Sequence, residues 1–460
     1  MPNIDPEIFR AYDIRGKTAT SLTPEVAEAI GKAFGSKVIN EGGREVALGM
    51  DNRKSSPGLR DAFAMGLMST GCNVVHLGLS TSPLMYFTVA HYGLDAGINV
   101  TGSHNPPDEN GLKLVGKGAR PIAGDEIQDI YTVAAAGRFP SGQGSERNLE
   151  PREAYFEHLI KATHLTRKYK LVVDTGNAVG GLFAPQFLRD RLGCEVIELF
   201  SELDDSFPNH LPDPQMPENM VDLQAKVRET GADLGIAFDG DGDRVGVVDE
   251  NGERYDADYV VMVLARDVLS QHPGGEVILD TKASQALVDD ISAHGGKPLL
   301  WKTGHSLIKI KMREDSAPLG GEASGHIFYQ ENFYLDDALF ATCKLLSYLS
   351  KTGKLLSEHF AGVPKWYATP EIRVACPDDL KGEVVKKVAA SLRDKYPSLE
   401  IDGIRATMPG GWAGVRQSNT GPNITLRFEA NTPERLKEIQ HEVEAIVAPL
   451  IPGGIKAGGH

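Results

Sequence analysis

Apolar residues along this chain gather into short Val-, Ile- and Leu-rich runs that alternate with longer stretches of helical periodicity. Three segments share one plan. In the first, a strand at 46–51 leads to a helix at about 57–69 and a strand at 73–77. A further strand at 96–100 then runs into a polar loop. The second repeats this with a strand at 171–174, a helix near 184–192, a strand at 195–199 and a strand at 234–238 that ends in an acidic loop. The third has a strand at 277–280, a helix near 285–294, a strand around 298–301 and a glycine-rich loop at 320–326. Such alternation predicts βαβ units in mixed or parallel sheets, with ligand loops at strand ends.

Two stretches interrupt the plan: 139–153, rich in Pro, Gly, Ser and charge, and 362–370. Beyond the second the grammar changes to a strand at 371–375, a helix at 380–392, strands near 401–407, 413–417 and 424–428, and a helix at 433–447. The expected fold is α/β, with three similar mixed α/β domains at 1–150, 151–252 and 253–366, and an α+β domain at 367–460.

Composition narrows the function. The 460 residues suffice for about three or four domains. A net charge of -15 excludes a nucleic-acid footprint, so an anionic substrate must be met by local basic loops. The four cysteines (Cys72, Cys194, Cys343, Cys376) lie far apart without metal-like spacing, which predicts buried thiols in a reducing cytosol. The first residues carry neither a basic nor an apolar targeting region, and no apolar run approaches a membrane span. A cytoplasmic protein is expected, a monomer or weak homo-oligomer, with no membrane partner.

Candidate chemistry sits in the loops. Asn99-Val-Thr-Gly-Ser-His-Asn-Pro-Pro107 displays the Ser103 hydroxyl just past an apolar strand. Gly102 admits a sharp turn, and Pro106 with Pro107 blocks a helix. His104 and Lys113 are placed to balance phosphate charge or move protons. Asp239-Gly-Asp-Gly-Asp-Arg244 offers Asp239, Asp241 and Asp243, a ligand set for a hard cation. Arg244 and the strand-like flanks exclude an EF-hand, and Mg²⁺ fits because positions remain for water. Glu322, Ser324 and His326 alternate, so they can face one side toward sugar hydroxyls. Arg416, Ser418, Asn419 and Thr420 suit an oxyanion nest, with Arg427 adding charge. Arg10 and Arg15 flank Tyr12 in another anion-friendly segment. Together these suggest phosphoryl chemistry on a serine, assisted by a metal.

Taken in order, residues 9–16, Thr101-Gly-Ser-His-Asn-Pro106, Asp239-Gly-Asp-Gly-Asp-Arg244, Gly321-Glu-Ala-Ser-Gly-His326 and Arg416-Gln-Ser-Asn-Thr420 resemble the α-D-phosphohexomutases. Within that family the chain is most similar to the bacterial phosphomannomutase/phosphoglucomutase group, over essentially its whole length. The resemblance implies a central cleft and a C-terminal domain of TATA-binding-protein-like fold. It implies Ser103 as the phosphoserine, holding Mg²⁺ with Asp239, Asp241 and Asp243, and Arg244 as support. Glu322 and Ser324 would hold the sugar's 3- and 4-hydroxyls, and Lys282 would bind and select sugar. Arg416, Ser418, Asn419, Thr420 and Arg427 would grip the distal phosphate. Tyr12, Arg15, Lys113 and His305 would contact substrate or assist proton transfer. The implied reaction interconverts hexose 1-phosphate and hexose 6-phosphate through a hexose 1,6-bisphosphate that turns around in the cleft. Ala323 departs from the bulkier residue often found in this motif. The alternatives are a phosphoglucosamine mutase or a sugar-phosphate phosphatase.

Overall fold

In the computed structural model, residues 2–418, 421–451 and 454 are described. Four sheets form, and the first three share a topology. In each, a central strand (Glu45–Met50, Lys170–Asp174, Glu276–Asp280) pairs in parallel with one strand on each side. One neighbour (Ala96–Val100, Leu234–Phe238, Leu319–Gly321) then turns back into an antiparallel partner (Glu109–Gly116, Val245–Val248, Ile327–Tyr329). The serine, aspartate and glutamate loops are therefore the same hairpin connection used three times. Ala96–Val100 and Leu234–Phe238 are buried at every position, which is why they read as unbroken apolar runs rather than alternating ones.

Each of these units also has a second crossover helix that the hydrophobic periodicity did not reveal: Ser82–Tyr92, Val221–Thr230 and His305–Asp315. Ser82–Tyr92 is buried on nearly all sides, so it lacks the polar face that marks an amphipathic helix. Its start is set by Thr81, whose Oγ1 accepts from the Leu84 amide at 3.2 Å. The helix expected near 184–192 is a short turn, Ala184–Gln186, continued as a wider π-helix, Phe187–Arg191. The Leu192 amide reaches back five residues to the Phe187 carbonyl, and adjacent Phe187 and Leu188 are both buried. Both interrupting stretches carry structure. Glu146–Asn148 joins the edge of the first sheet, and Tyr367–Ala368 pairs with Asn423–Ala430 in the last.

The final unit is an antiparallel sheet with helices Asp378–Arg393 and Pro433–Val447. The strand expected near 401–407 begins only at Ile404, because Gly403 turns the chain at φ +72°. A continuous apolar cluster runs from Phe87 through Ile236 to Leu279 and Leu346, joining the first three units. The fourth has a separate core around Val388, Phe428 and Val443. It meets the third largely through polar groups: Arg405 donates to the carbonyls of Thr281 and Ala283, and Glu429 accepts from the Gln285 amide. No helix of the described residues is long and apolar enough to cross a membrane. All four cysteines are buried and free.

Asp258, at the border of the third and fourth units, accepts from the Ser284 amide at 3.2 Å and faces Arg427. Burial pushes its carboxyl up to about 7, only partly offset by Arg427. A folded-state pKa raised above the ordinary 3.8 means that its contribution is full at low pH and is lost as pH rises through about 7. Asp258→Asn is expected to gain on the parent protein in thermal midpoint between about pH 4 and 8, reaching roughly 3–6 °C. A difference that does not widen with pH contradicts this.

Candidate active site

The three equivalent hairpins and the last unit converge on one cleft of about 640 Å³. Ser103 sits at its floor, 2% exposed. Its φ of +49° is a left-handed conformation that costs a non-glycine residue free energy. What holds it there is Arg53, a buried side chain that the sequence pattern did not single out. Its guanidinium donates to the carbonyls of Ser103, Asn105, Pro106 and Glu109 at 2.6 to 3.2 Å, while Asp51 accepts from its Nε. Gly102 has a different task from the turn expected of it. A Cβ there would lie 2.5 Å from the Arg53 guanidinium carbon, so glycine makes room for the clamp.

The Ser103 hydroxyl donates to Asp239 Oδ2 at 2.9 Å and lies 3.1 Å from His104 Nδ1. Burial, then the charge of Arg244, pushes His104 well below the usual histidine range, so it is neutral at physiological pH. The Arg244 guanidinium also contacts His104 Nδ1, and its Nε donates to Asp239 at 3.1 Å. A residue that sequence reasoning missed, Asp213, holds the same guanidinium from the far side at 3.4 Å.

Asp239, Asp241 and Asp243 are fully buried just beneath the serine, with ligand oxygens within 4.8 Å of one another. Asp239 Oδ1 accepts the amides of Asp243 and Arg244, which winds the loop into a ring. Ser82, at the start of its helix, donates to Asp241 at 2.5 Å and ties the loop to the first unit. Lys113 Nζ lies 2.6 Å from Asp241 and 2.5 Å from Asp243. Burial opposes its charge, but these carboxylates hold its ammonium well above the usual lysine range. Burial and the charges of Asp243 and Asp241 push Asp239 up to about 7. Burial acts the same way on Asp241, but Lys113 and the Ser82 hydrogen bond overcome it and hold that carboxyl low. Asp241 Oδ1 and Asp243 Oδ1 are buried without a hydrogen bond. Hard oxygens left without a hydrogen bond fit a divalent cation such as Mg²⁺.

The expected sugar-binding residues also meet in the cleft. Glu322, Ser324 and His326 line it together, with Ser324 Oγ donating to Glu322 at 3.2 Å. Burial raises the Glu322 carboxyl, Asp280 adds to that, and His326 opposes it. His305 stacks on His326 with ring centroids 5.2 Å apart, and Tyr12 meets His305 edge-on at 5.1 Å. Burial and Lys309 lower His305 to about 4. Both imidazoles lie 3.2 Å from Asp336, another carboxylate that local spacing did not reveal. Arg15, oriented by Asp13 at 2.6 Å, reaches Asn105 in the serine loop. Lys282 pairs with Glu371 at 3.1 Å across the border of the third and fourth units. Arg416 and Ser418 line the far end of the cleft. Asn419 and Thr420 lie outside the described residues. Arg427 is not among the residues the cleft brings together. Drawn toward Asp258 at 3.8 Å, it lines a small polar space behind Arg416.

Four units facing one polar cleft, with a serine set over buried carboxylates, is the architecture of a phosphohexomutase. Comparison with known proteins agrees. The phosphoglucomutase/phosphomannomutase α/β/α domains I, II and III match residues 6–141, 153–252 and 256–367, and the family's C-terminal domain matches 371–446. A phosphomannomutase/phosphoglucomutase of Pseudomonas putida is 43% identical over 94% of this chain and 94% of its own length. A phosphoglucomutase of Neisseria gonorrhoeae is 39% identical over 97% of this chain and 98% of its own. A Burkholderia thailandensis phosphoglucomutase/phosphomannomutase family protein superimposes with a TM-score of 0.92 at 40% identity, covering 99% of this chain and 100% of that one. The chain belongs to the phosphoglucomutase/phosphomannomutase family of α-D-phosphohexomutases.

Arg53→Lys keeps the buried charge but loses the planar fork that engages four carbonyls. Turnover of a hexose 1-phosphate is expected to fall ~10²-fold, because the nucleophile is misplaced by less than an ångström or so. KM is expected to stay within about 3-fold, since no substrate contact is removed. Undiminished kcat contradicts the clamp.

Proposed function

We propose that this protein interconverts hexose 1-phosphate and hexose 6-phosphate, accepting glucose and mannose, through a phosphoserine at Ser103 and a hexose 1,6-bisphosphate. The observation that carries this reading is the Ser103 hydroxyl, 2.9 Å from Asp239 at the floor of a cleft ringed by Arg15, Lys113, Arg244 and Arg416. Each residue has work suited to its surroundings. Arg53 and Gly102 hold Ser103 in its strained, displayed conformation. The Ser103 Oγ–P bond breaks as the free sugar hydroxyl bonds to phosphorus, and the hydroxyl proton passes to a neutral imidazole. Ser103 Oγ leaves as an alkoxide faced by Arg244 at 3.5 Å until it takes back a phosphoryl group, when the imidazole returns its proton to the departing sugar oxygen. His305 lines the cleft and is unprotonated at pH 7, because burial and Lys309 lower it to about 4. That shift also makes it a weak base, so the proton moves as the phosphoryl group transfers rather than before. Lys113, kept charged by Asp241 and Asp243, serves as a fixed cation rather than as a base.

Glu322 and Ser324 grip the sugar hydroxyls, while Arg416 and Ser418 take the phosphate that is not reacting. Asn419 and Thr420 join that grip in this reading. A bisphosphate that turns end for end presents its other phosphoryl group to Ser103, which is then rephosphorylated. Glucose and mannose differ only at C2, so a grip on O3 and O4 admits both. Mg²⁺ bound by Asp239, Asp241, Asp243 and a phosphoryl oxygen on Ser103 would offset charge during transfer. Ser103 lines the cleft, so bound substrate would have to shield its phosphoryl group from water. The division at 150, 252 and 366 and a monomeric or weakly associating protein in a reducing cytoplasm complete the reading.

Ser103→Ala is expected to lower isomerisation of glucose 1-phosphate by ~10³-fold or more with the fold intact. Excess chelator, or Asp241→Asn, is expected to produce a loss of similar order. Coupled assays on glucose 1-phosphate and mannose 1-phosphate check each case. Full rate in Ser103→Ala removes the carrier, and full rate in chelator removes the metal.

A further inference from the structure

Arg416, the cation expected to grip phosphate, does not hold its own position. Its Nε donates at 2.9 Å to Oδ2 of Asp402, which lies on the same unit but outside the cleft. Its Nη2 is buried without a partner. That same Asp402 oxygen accepts the backbone amide of Thr303, in the third unit, at 3.0 Å. The next amide, Gly304, donates at 2.6 Å to Glu322 Oε1, and His305 follows as the first residue of its helix. A short hydrogen-bonded line thus runs from the guanidinium at the phosphate end, through one carboxylate oxygen, to the segment that seats the sugar-gripping glutamate and the cleft histidine.

The geometry points to Asp402 as a positioning residue that aims Arg416 at the non-reacting phosphate and docks its unit on the 302–305 segment. This rests on the proposed role of Arg416 and deepens it. Two donors share one oxygen, so the needed atom is specific. Asparagine keeps an acceptor oxygen at that point, serine falls short of both donors, and alanine removes it. The hydrogen bond to Nε steadies the guanidinium without occupying Nη2, which has no partner of its own. Without Asp402, Arg416 keeps the opposite charge of Glu371 among the cations Lys282 and Arg427, but loses the hydrogen bond that fixes its Nε.

Steady-state kinetics with glucose 1-phosphate test this in Asp402→Ala, Asp402→Ser, Asp402→Asn, Arg416→Ala and the double variant Asp402→Ala/Arg416→Ala. The expected result is a KM raised about 10-fold or more in the alanine and serine variants, with kcat within about 3-fold. Asp402→Asn is expected to remain within about 3-fold of the parent KM, and adding Asp402→Ala to Arg416→Ala to raise KM by about 3-fold at most, well short of its effect alone, because only the Thr303 contact is then left to lose. Unchanged KM in both the alanine and serine variants, equal damage from asparagine, or full additivity with Arg416→Ala overturns the assignment. Serine carries the test should alanine fail to fold. If the parent protein does not isomerise glucose 1-phosphate, the mutase reading fails instead, and calorimetric titration with inorganic phosphate reads the same contrast among the variants.

Discussion

Burying three carboxylates side by side is the constraint on which the rest of this molecule turns. Two like charges 4 Å apart repel by about 4 kcal/mol even at an effective dielectric near 20. Desolvation adds several more for each ion. The second unit, which carries Asp239, Asp241 and Asp243, has Arg244 to set against this. The remaining compensation comes from outside it: Lys113 and Ser82 from the first unit, His326 from the third. The acidic loop therefore cannot be formed well until its neighbours are in place. That need is met by the apolar cluster shared among the first three units, which fixes their hairpins against one another. The reactive hydroxyl inherits its position from this assembly.

The fourth unit follows a different rule. Its core is its own, and its contacts with the third are hydrogen bonds and ion pairs rather than interdigitated apolar side chains. Contacts of that kind can be exchanged for contacts to a charged ligand at small net cost. Three units that share one core and a fourth that meets the third through polar contacts together wall a cleft suited to a charged phosphosugar. This arrangement also explains how a chain of net charge -15 can attract an anion: its cations are gathered on the cleft walls from several units.

Much of this was legible in the sequence, because strands buried on both faces and glycine-spaced carboxylates leave local patterns. The three loop motifs and the change of grammar near residue 366 were readable for that reason. Other features left no such trace. Ser82–Tyr92 lacks a polar face, so its helix has no periodic signature. Arg53, Asp213, Asp336 and Asp402 are single charged residues whose partners lie far along the chain, and spacing says nothing about such pairs. Asp51-Asn-Arg53, polar residues directly after a buried strand, was the one local hint of the serine clamp. Arg427 is a placement that spacing cannot decide: its strand pairs with the one that carries Arg416, and its side chain lies 3.8 Å from Asp258, lining the space next to Arg416.

The central claim is that a phosphoryl group travels on Ser103. The most direct measurement is intact-mass analysis with peptide mapping of the protein during turnover of a hexose 1-phosphate. The account predicts one added phosphoryl group, on the peptide containing Ser103 and on that hydroxyl. A phosphoryl group mapped to any other residue, or turnover without a phosphorylated protein, contradicts it.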